Sequence, residues 1–287
     1  MWQIQKVADE GSAEPYVARL WVGAFELRDI LLRHWAADDA DYGGRRQHFD
    51  DRYGPVFDAL GAARRQARAI QELLASHKQK IAAGSIVSRQ RNVVQISETI
   101  TVPLQEHMAA FLSAAARAAR LLQDLLSYLD IEIGFLFQKQ PRFLEGLERL
   151  RAAGQAELAE YLDSTRRGWS ETLIERRHAL EHKGWRLPDV RYAEQPDVAL
   201  LVVEPEVDGR PLTEFVATML DRLLGFVEDM LAYSVQKGIT DIGDLIDTPK
   251  QNRDPANVKR FRFGLPALQP DEGFWRLRYS ERGFHNS

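Results

Sequence analysis

Three long stretches of this sequence repeat apolar residues every three or four positions, and that period constrains the fold more than any other feature. The first runs from Tyr53 to Ala82, with Val56, Leu60, Ala63, Ala67, Ile70, Leu74 and Ile81 in one stripe. The second starts at Thr101 and Pro103 and extends to about Gln138 around an alanine-rich centre, Ala114 to Ala119. The third runs from Thr213, read as its cap, to about Val235, with Val216, Leu220, Leu223, Val227, Met230 and Leu231 facing inward. Residues three and four apart share one face of a helix, whereas a strand would put those three apart on opposite faces. Stretches of this length therefore predict a mainly α fold, a helical bundle with small β-strand additions.

Shorter segments fill in the order. Ser12 to Trp35 reads as a first helix, and the glycine-containing acidic run Asp38 to Gly44 as a loop. Gly84 to Thr99 holds Ile86, Val87, Val93, Val94 and Ile96, whose branching suits a strand or an extended connection. The apolar run Ile131 to Phe137 suits a buried helix end or a dimer contact, and Phe143 to Leu162 reads as a helix after Pro141. Val190 to Tyr192 and Val198 to Val203 read as strands, with Val207-Asp208-Gly209 as a turn, giving a β insertion near 186–210. Thr248 to Ala256 is a polar linker. Beyond it a strand-like extension near 250–287 alternates basic with apolar residues, from Lys259, Arg260, Phe261, Arg262 and Phe263 to Trp275, Arg276, Leu277, Arg278 and Tyr279. The expectation is one domain over 1–287.

Composition narrows the function. With 45% hydrophobic residues in 287, the chain can bury a sizeable core. The absence of cysteine excludes disulfides, thiol catalysis and thiolate metal sites. A net charge of -4 means that any contact with nucleic acid must use a local basic patch. No signal peptide and no apolar run of membrane-spanning length is visible, so a cytoplasmic location without membrane contact is expected. There is no P-loop, no GxGxxG after a strand and no GxSxG.

The densest chemistry lies in Ser170 to Pro188, SETLIERRHALEHKGWRLP. Ser170 is read as the cap of a helix with Glu171 in its first turn, and Gly184 and Pro188 as its stop. Arg176, Arg177, His178 and His182 fall within seven residues. His178 and His182 share a face, whereas Arg177 and His182 stand about 140° apart on an ideal helix. Arg177 and His182 meet on one ligand only if the helix loosens near Gly184 or a second copy faces the first. A bland alternative pairs Arg177 with Glu181 four residues on. A metal bound by His178 and His182 is disfavoured by the flanking Arg176, Arg177 and Lys183, and a second Glu-x-x-His like Glu175 and His178 is missing. The isolated His34, His48, His77 and His107 read as ordinary satisfied or exposed histidines, and Arg64, Arg65 and Arg68 as a solvated face.

The sequence Arg177-His178-Ala179-Leu180-Glu181-His182 resembles the HEPN signature of arginine, a polar residue, three residues and histidine. The following Lys183-Gly184-Trp185 is also similar to that family. The resemblance covers the helical part, about Ser12 to Lys237, but its specific signal is these few residues. It implies a dimeric helical fold and a metal-independent endoribonuclease whose arginine and histidine meet their counterparts at a dimer cleft. On that basis Arg177 would stabilise the phosphorane, His182 would act as acid or base, and His178 would orient or assist. No cofactor and no metal are expected. The partners it implies are RNA, a second copy of the chain and an antitoxin or regulatory protein, as for a toxin or defence effector. The basic C-terminal extension would hold RNA, or serve as an edge hairpin guarded by charge. The other open reading is a HEPN-like dimer without chemistry, a scaffold or an RNA- or protein-binding module.

Overall fold

The computed structural model describes residues 42–91, 93–195, 199–239, 244–247 and 261–264. The fold is mainly α with short antiparallel strand pairs, as the apolar periodicity predicts. Helix α1 spans Tyr42–Ala82, α2 Thr101–Tyr128, α3 Gln140–Ala152, α4 Ala156–Thr165, α5 Glu171–His182 and α6 Leu212–Ile239. The strands pair as four separate hairpins or ribbons. These are β1 (Val87–Gln90) with β2 (Val93–Ile96), β3 (Arg191–Glu194) with β4 (Leu200–Val203), β5 (Glu206–Val207) with β6 (Arg210–Pro211), and β7 (Asp244–Asp247) with β8 (Phe261–Gly264). The expected helix Ser12 to Trp35, the linker Thr248 to Ala256 and the segment Phe274 to Tyr279 lie outside the described residues. Of the expected strand Val258 to Phe263, Phe261 to Phe263 lie in β8, whose partner is β7, and Val258 to Arg260 lie outside the described residues.

The chain forms two compact units. The described residues of the first fall within Met1–Asp58, Ala118–Glu171 and Leu223–Ser287, and those of the second within Ala59–Arg117 and Thr172–Arg222.

Several helix limits differ from the sequence expectation, each for a local reason. Helix α1 begins at Tyr42 rather than Tyr53, so it includes part of the expected loop Asp38 to Gly44 and carries Pro55 in its interior. Proline removes a helical hydrogen bond and normally ends or kinks a helix. Here burial in the first unit holds the segment: Phe49 and Tyr53 are buried and stacked with ring centroids 5.8 Å apart, and Arg52 lies 4.6 Å from the Tyr128 ring centre.

Helix α2 stops at Tyr128, ten residues before Gln138. Asp130 takes a left-handed φ of 58°, the Ile131 N–H donates to Leu126 O at 2.9 Å and the Asp130 N–H to Ser127 O at 3.2 Å. That is a Schellman closure, with buried Ile131 and Leu126 as its apolar contact. The apolar run that follows is not part of α2, and Gly134–Phe137 within it forms a short 3-10 helix. Ile131, Ile133, Phe135 and Leu136 are buried inside the first unit of the chain itself. Phe135 lies so close to Gly146 that a Cβ there would sit 2.1 Å from its ring.

The expected single helix Phe143 to Leu162 is two helices. Gly154, with a φ of 75°, closes α3 by the same pattern: Gln155 N–H to Leu150 O at 2.9 Å and Gly154 N–H to Arg151 O at 3.0 Å.

Ser170 is not a cap. Thr165, Arg166 and Glu171 all keep right-handed helical dihedrals, and Arg166–Ser170 is a π-helical turn joining α4 to α5. Ser170 is fully buried, and its Oγ makes no hydrogen bond within the protein. Arg166, also buried, explains part of this departure. Its Nη1 donates to Leu136 O at 3.1 Å and Gln138 O at 2.7 Å, its Nη2 meets Glu171 at 3.3 Å, and its guanidinium lies 4.4 Å from the Phe143 ring centre. A guanidinium that meets two carbonyls, a carboxylate and a ring resists the re-orientation a helix break would require.

Thr213 does not act as the expected cap of α6 either. The helix begins at Leu212, and the Glu204 side chain accepts from the Thr213 N–H at 3.1 Å and its hydroxyl at 2.7 Å. A carboxylate at a helix N-terminus meets orphan N–H groups and the positive end of the helix dipole. In the first unit α6 is buried nearly all round, and Tyr161 donates to buried Asp229 at 2.8 Å.

Candidate functional site

Helix α5 carries Arg176, Arg177, His178 and His182, and its later turns belong to the second unit. Leu173 is buried, Glu175, His178, Glu181 and His182 are exposed, and the other residues of the helix are half-buried. Gly184 has a φ of 63°, the left-handed conformation expected for a helix stop, and Lys183 N–H and Trp185 N–H both reach Ala179 O, at 2.9 and 3.1 Å.

The structure brings Arg177 and His182 to opposite oxygens of one carboxylate. The Arg177 Nε and Nη2 reach Glu181 Oε1 at 2.9 and 2.8 Å, while His182 Nε2 lies 3.8 Å from Glu181 Oε2. The second distance is beyond a hydrogen bond, so the imidazole approaches the carboxylate without being held by it. His178 and His182 adjoin with ring centroids 4.7 Å apart, as their four-residue spacing requires. His182 is 62% exposed, so its ring is open to solvent.

Arg176 points to a different set of partners. It makes a two-point contact with the Asp208 carboxylate, and its guanidinium lies 5.8 Å from the Trp185 ring centre. Asp208 and Gly209, with φ values of 54° and 75°, form the two-residue turn between β5 and β6, so the expected turn at Val207-Asp208-Gly209 is a tight hairpin. Arg176 and Arg177 are thus neighbours in sequence with unlike roles. The planar fork of Arg176 is matched to a carboxylate that a hairpin presents, whereas Arg177 is bound within its own helix.

The remaining sequence candidates divide between solvent and core. Arg68 is exposed and pairs with Glu72 at 2.7 Å, in keeping with a solvated face, while burial lowers the pKa of half-buried Arg64, with Arg68 adding to the shift. His107 Nδ1 bonds Gln66 at 2.8 Å and the His48 ring lies beside Tyr128. His77 is wholly buried and bonds the Tyr192 hydroxyl at 2.7 Å. Sequence reasoning treated His77 as isolated. The available signal was its position, three residues after Leu74 and four before Ile81, in the apolar stripe of α1. Arg166 carried no comparable signal, because its acceptors are backbone carbonyls about thirty residues away in the chain.

Among the described residues no three His, Asp or Glu side chains gather as a metal site would require, and no helix is long and apolar enough to cross a membrane. No family model matches the chain, and neither a curated protein nor a solved structure matches it.

Proposed function

We propose that the exposed end of α5 is a metal-independent ribonuclease site of HEPN type, completed by a second copy of the chain. The observation that carries this reading is the convergence of Arg177 and His182 on the two oxygens of Glu181. A phosphodiester presents two non-bridging oxygens in a comparable fork, so a phosphate displacing Glu181 would meet a permanent positive charge and an imidazole together. The reaction is transesterification. A 2′-hydroxyl loses its proton to a base and attacks the adjacent phosphorus, and the 5′-oxygen leaves with a proton from an acid. An ordinary histidine near pKa 6.5 serves either step at neutral pH. The guanidinium stabilises the charge that grows on the phosphorane. His178, touching His182, orients that ring or takes the second proton. One protomer's histidines lie on one side of the phosphate, and a two-fold partner would supply the opposing pair. RNA is the substrate of this reading, and an antitoxin or other regulatory protein is the partner the family resemblance suggests.

A second reading, a HEPN-like dimer without chemistry, is favoured by a specific contact. Glu181 already satisfies Arg177, and an i,i+4 pair on a hydrated helix needs no function. Cleavage products separate the two. The enzyme yields 2′,3′-cyclic phosphate and 5′-hydroxyl ends, is indifferent to EDTA, and fails on RNA carrying a 2′-deoxy sugar at the cleaved position. Cutting that persists at the deoxy position would remove the mechanism. RNA that is bound but uncut, equally by Arg177→Ala, would establish the module instead.

A further inference from the structure

We infer that buried His77 is the pin of an acid-released clasp, holding the β3–β4 hairpin and the segment after β2 against the C-terminal turns of α1 in the second unit. His77 has no exposed surface, and its Nε2 is bonded to the Tyr192 hydroxyl of β3 at 2.7 Å. Its Nδ1, which has no hydrogen-bond partner among the described residues, faces Glu98 Oε1 at 4.0 Å. Glu98 is fixed from its other side by Lys80, whose ammonium reaches both carboxylate oxygens at 2.9 and 2.7 Å. The same helix end holds Glu204, just beyond β4, through Lys78 at 2.6 Å, and Arg89 of β1 pairs with Glu194 of β3 at 3.0 Å. These last two pairs lie at the surface and are screened by salt; His77 is the partner that water does not reach.

The ionisable groups acting on His77 are Tyr192 from β3, Glu98 from the segment joining β2 to α2, and Lys80 on its own helix. Burial is the largest influence and lowers the imidazole pKa; Glu98 raises it and Lys80 lowers it again. The neutral ring shares one hydrogen bond with the Tyr192 hydroxyl at Nε2. Burial also raises the Tyr192 pKa, so that hydroxyl keeps its proton. A second proton on the ring would strand a cation away from water, with Glu98 beyond hydrogen-bond reach and already engaged by Lys80.

The sign follows from linkage. The opened form has the ordinary pKa near 6.5, above the closed form, so it binds more protons once the pH falls through that value. The clasp is closed at pH 7.5 and loosens below about 6.5, and the effect is complete once the pH passes below the lowered value of the closed form. At pH 5.5 the opening equilibrium rises by up to about tenfold, the ratio of protonated to neutral free histidine one unit below its pKa.

The test is hydrogen exchange of the intact chain at pH 7.5 and 5.5, corrected for intrinsic rates, reading the amides of Arg191–Glu194 and Leu200–Val203. The expected result is protection that falls by up to about tenfold on acidification in the native protein and stays level in His77→Gln, which keeps a side-chain hydrogen-bonding group but does not titrate. Equal pH dependence in both proteins, or none in the native one, would overturn the proposal. Should His77→Gln fail to fold, the proton titration of the His77 ring in the native protein decides: a midpoint below 6.5 supports the clasp, and one at or above 6.5 overturns it.

Discussion

Arg166 and Arg177 lie eleven positions apart in one helical run and differ in almost everything that determines what an arginine does. Arg166 is 8% exposed and uses its charge on Leu136 O, Gln138 O, Glu171 and the Phe143 ring. Arg177 is 24% exposed and pairs with Glu181, one turn away. The first is held by two backbone carbonyls, a carboxylate and a ring, and the carbonyls would lose their donor if it were removed. The second sits in a hydrated pair worth a few tenths of a kcal/mol, which a better anion can displace. His77 and His182 repeat the contrast: the buried ring has one deep partner, while the exposed ring is open to whatever arrives. In each pair the buried member serves the fold and the exposed member is available for chemistry.

That division is easiest to break at the exposed end. Under the ribonuclease reading, His182→Ala and Arg177→Ala should each lose about 10²–10⁴-fold in cleavage rate, the usual worth of a positioned acid or base, measured on one defined RNA. Their melting temperatures should hardly move, because surface changes of this kind shift stability by less than about 0.5 kcal/mol. A variant that loses activity and stability together would put these residues on the structural side.

The next largest effect belongs to the buried arginine. Arg166→Met keeps much of the side-chain bulk but leaves Leu136 O and Gln138 O without their donor, so a loss of about 3 kcal/mol is expected in denaturant titration. A loss within the surface range would show that water satisfies those carbonyls.

Tyr192→Phe removes only the hydroxyl that His77 meets. The expected cost is about 1–2 kcal/mol at pH 7.5, since a buried ring nitrogen loses its partner.

The smallest effect separates the two readings of α5. Glu181→Gln should cost about 0.2–0.5 kcal/mol of stability, the worth of one i,i+4 ion pair. It should also raise RNA affinity if Glu181 competes with phosphate for Arg177. Unchanged affinity, measured where the native protein binds RNA, would assign the pair to helix stability alone.

What the sequence determined by itself was whatever rests on local period and local backbone freedom. The apolar stripe from Val56 to Ile81 is buried at every position named. Gly184 and the Asp208-Gly209 turn take the left-handed conformations expected of a helix stop and a tight hairpin. The Arg177–Glu181 contact follows from a four-residue spacing, which is why it was legible beside the catalytic reading. Tertiary structure alone decided the features whose partners are remote in the chain. Pro55 remains inside α1 because Phe49 and Tyr53 are buried, Ser170 lies in a π turn beside Arg166, and Glu204 caps the helix that Thr213 was expected to cap. His77 has the same character: its spacing placed it on a core stripe, but only the fold brought Tyr192 from 115 residues away to meet it. Period and turn chemistry act within a few residues and are written in sequence, whereas desolvation depends on which distant segments cover a group, and that is settled only when the chain has folded.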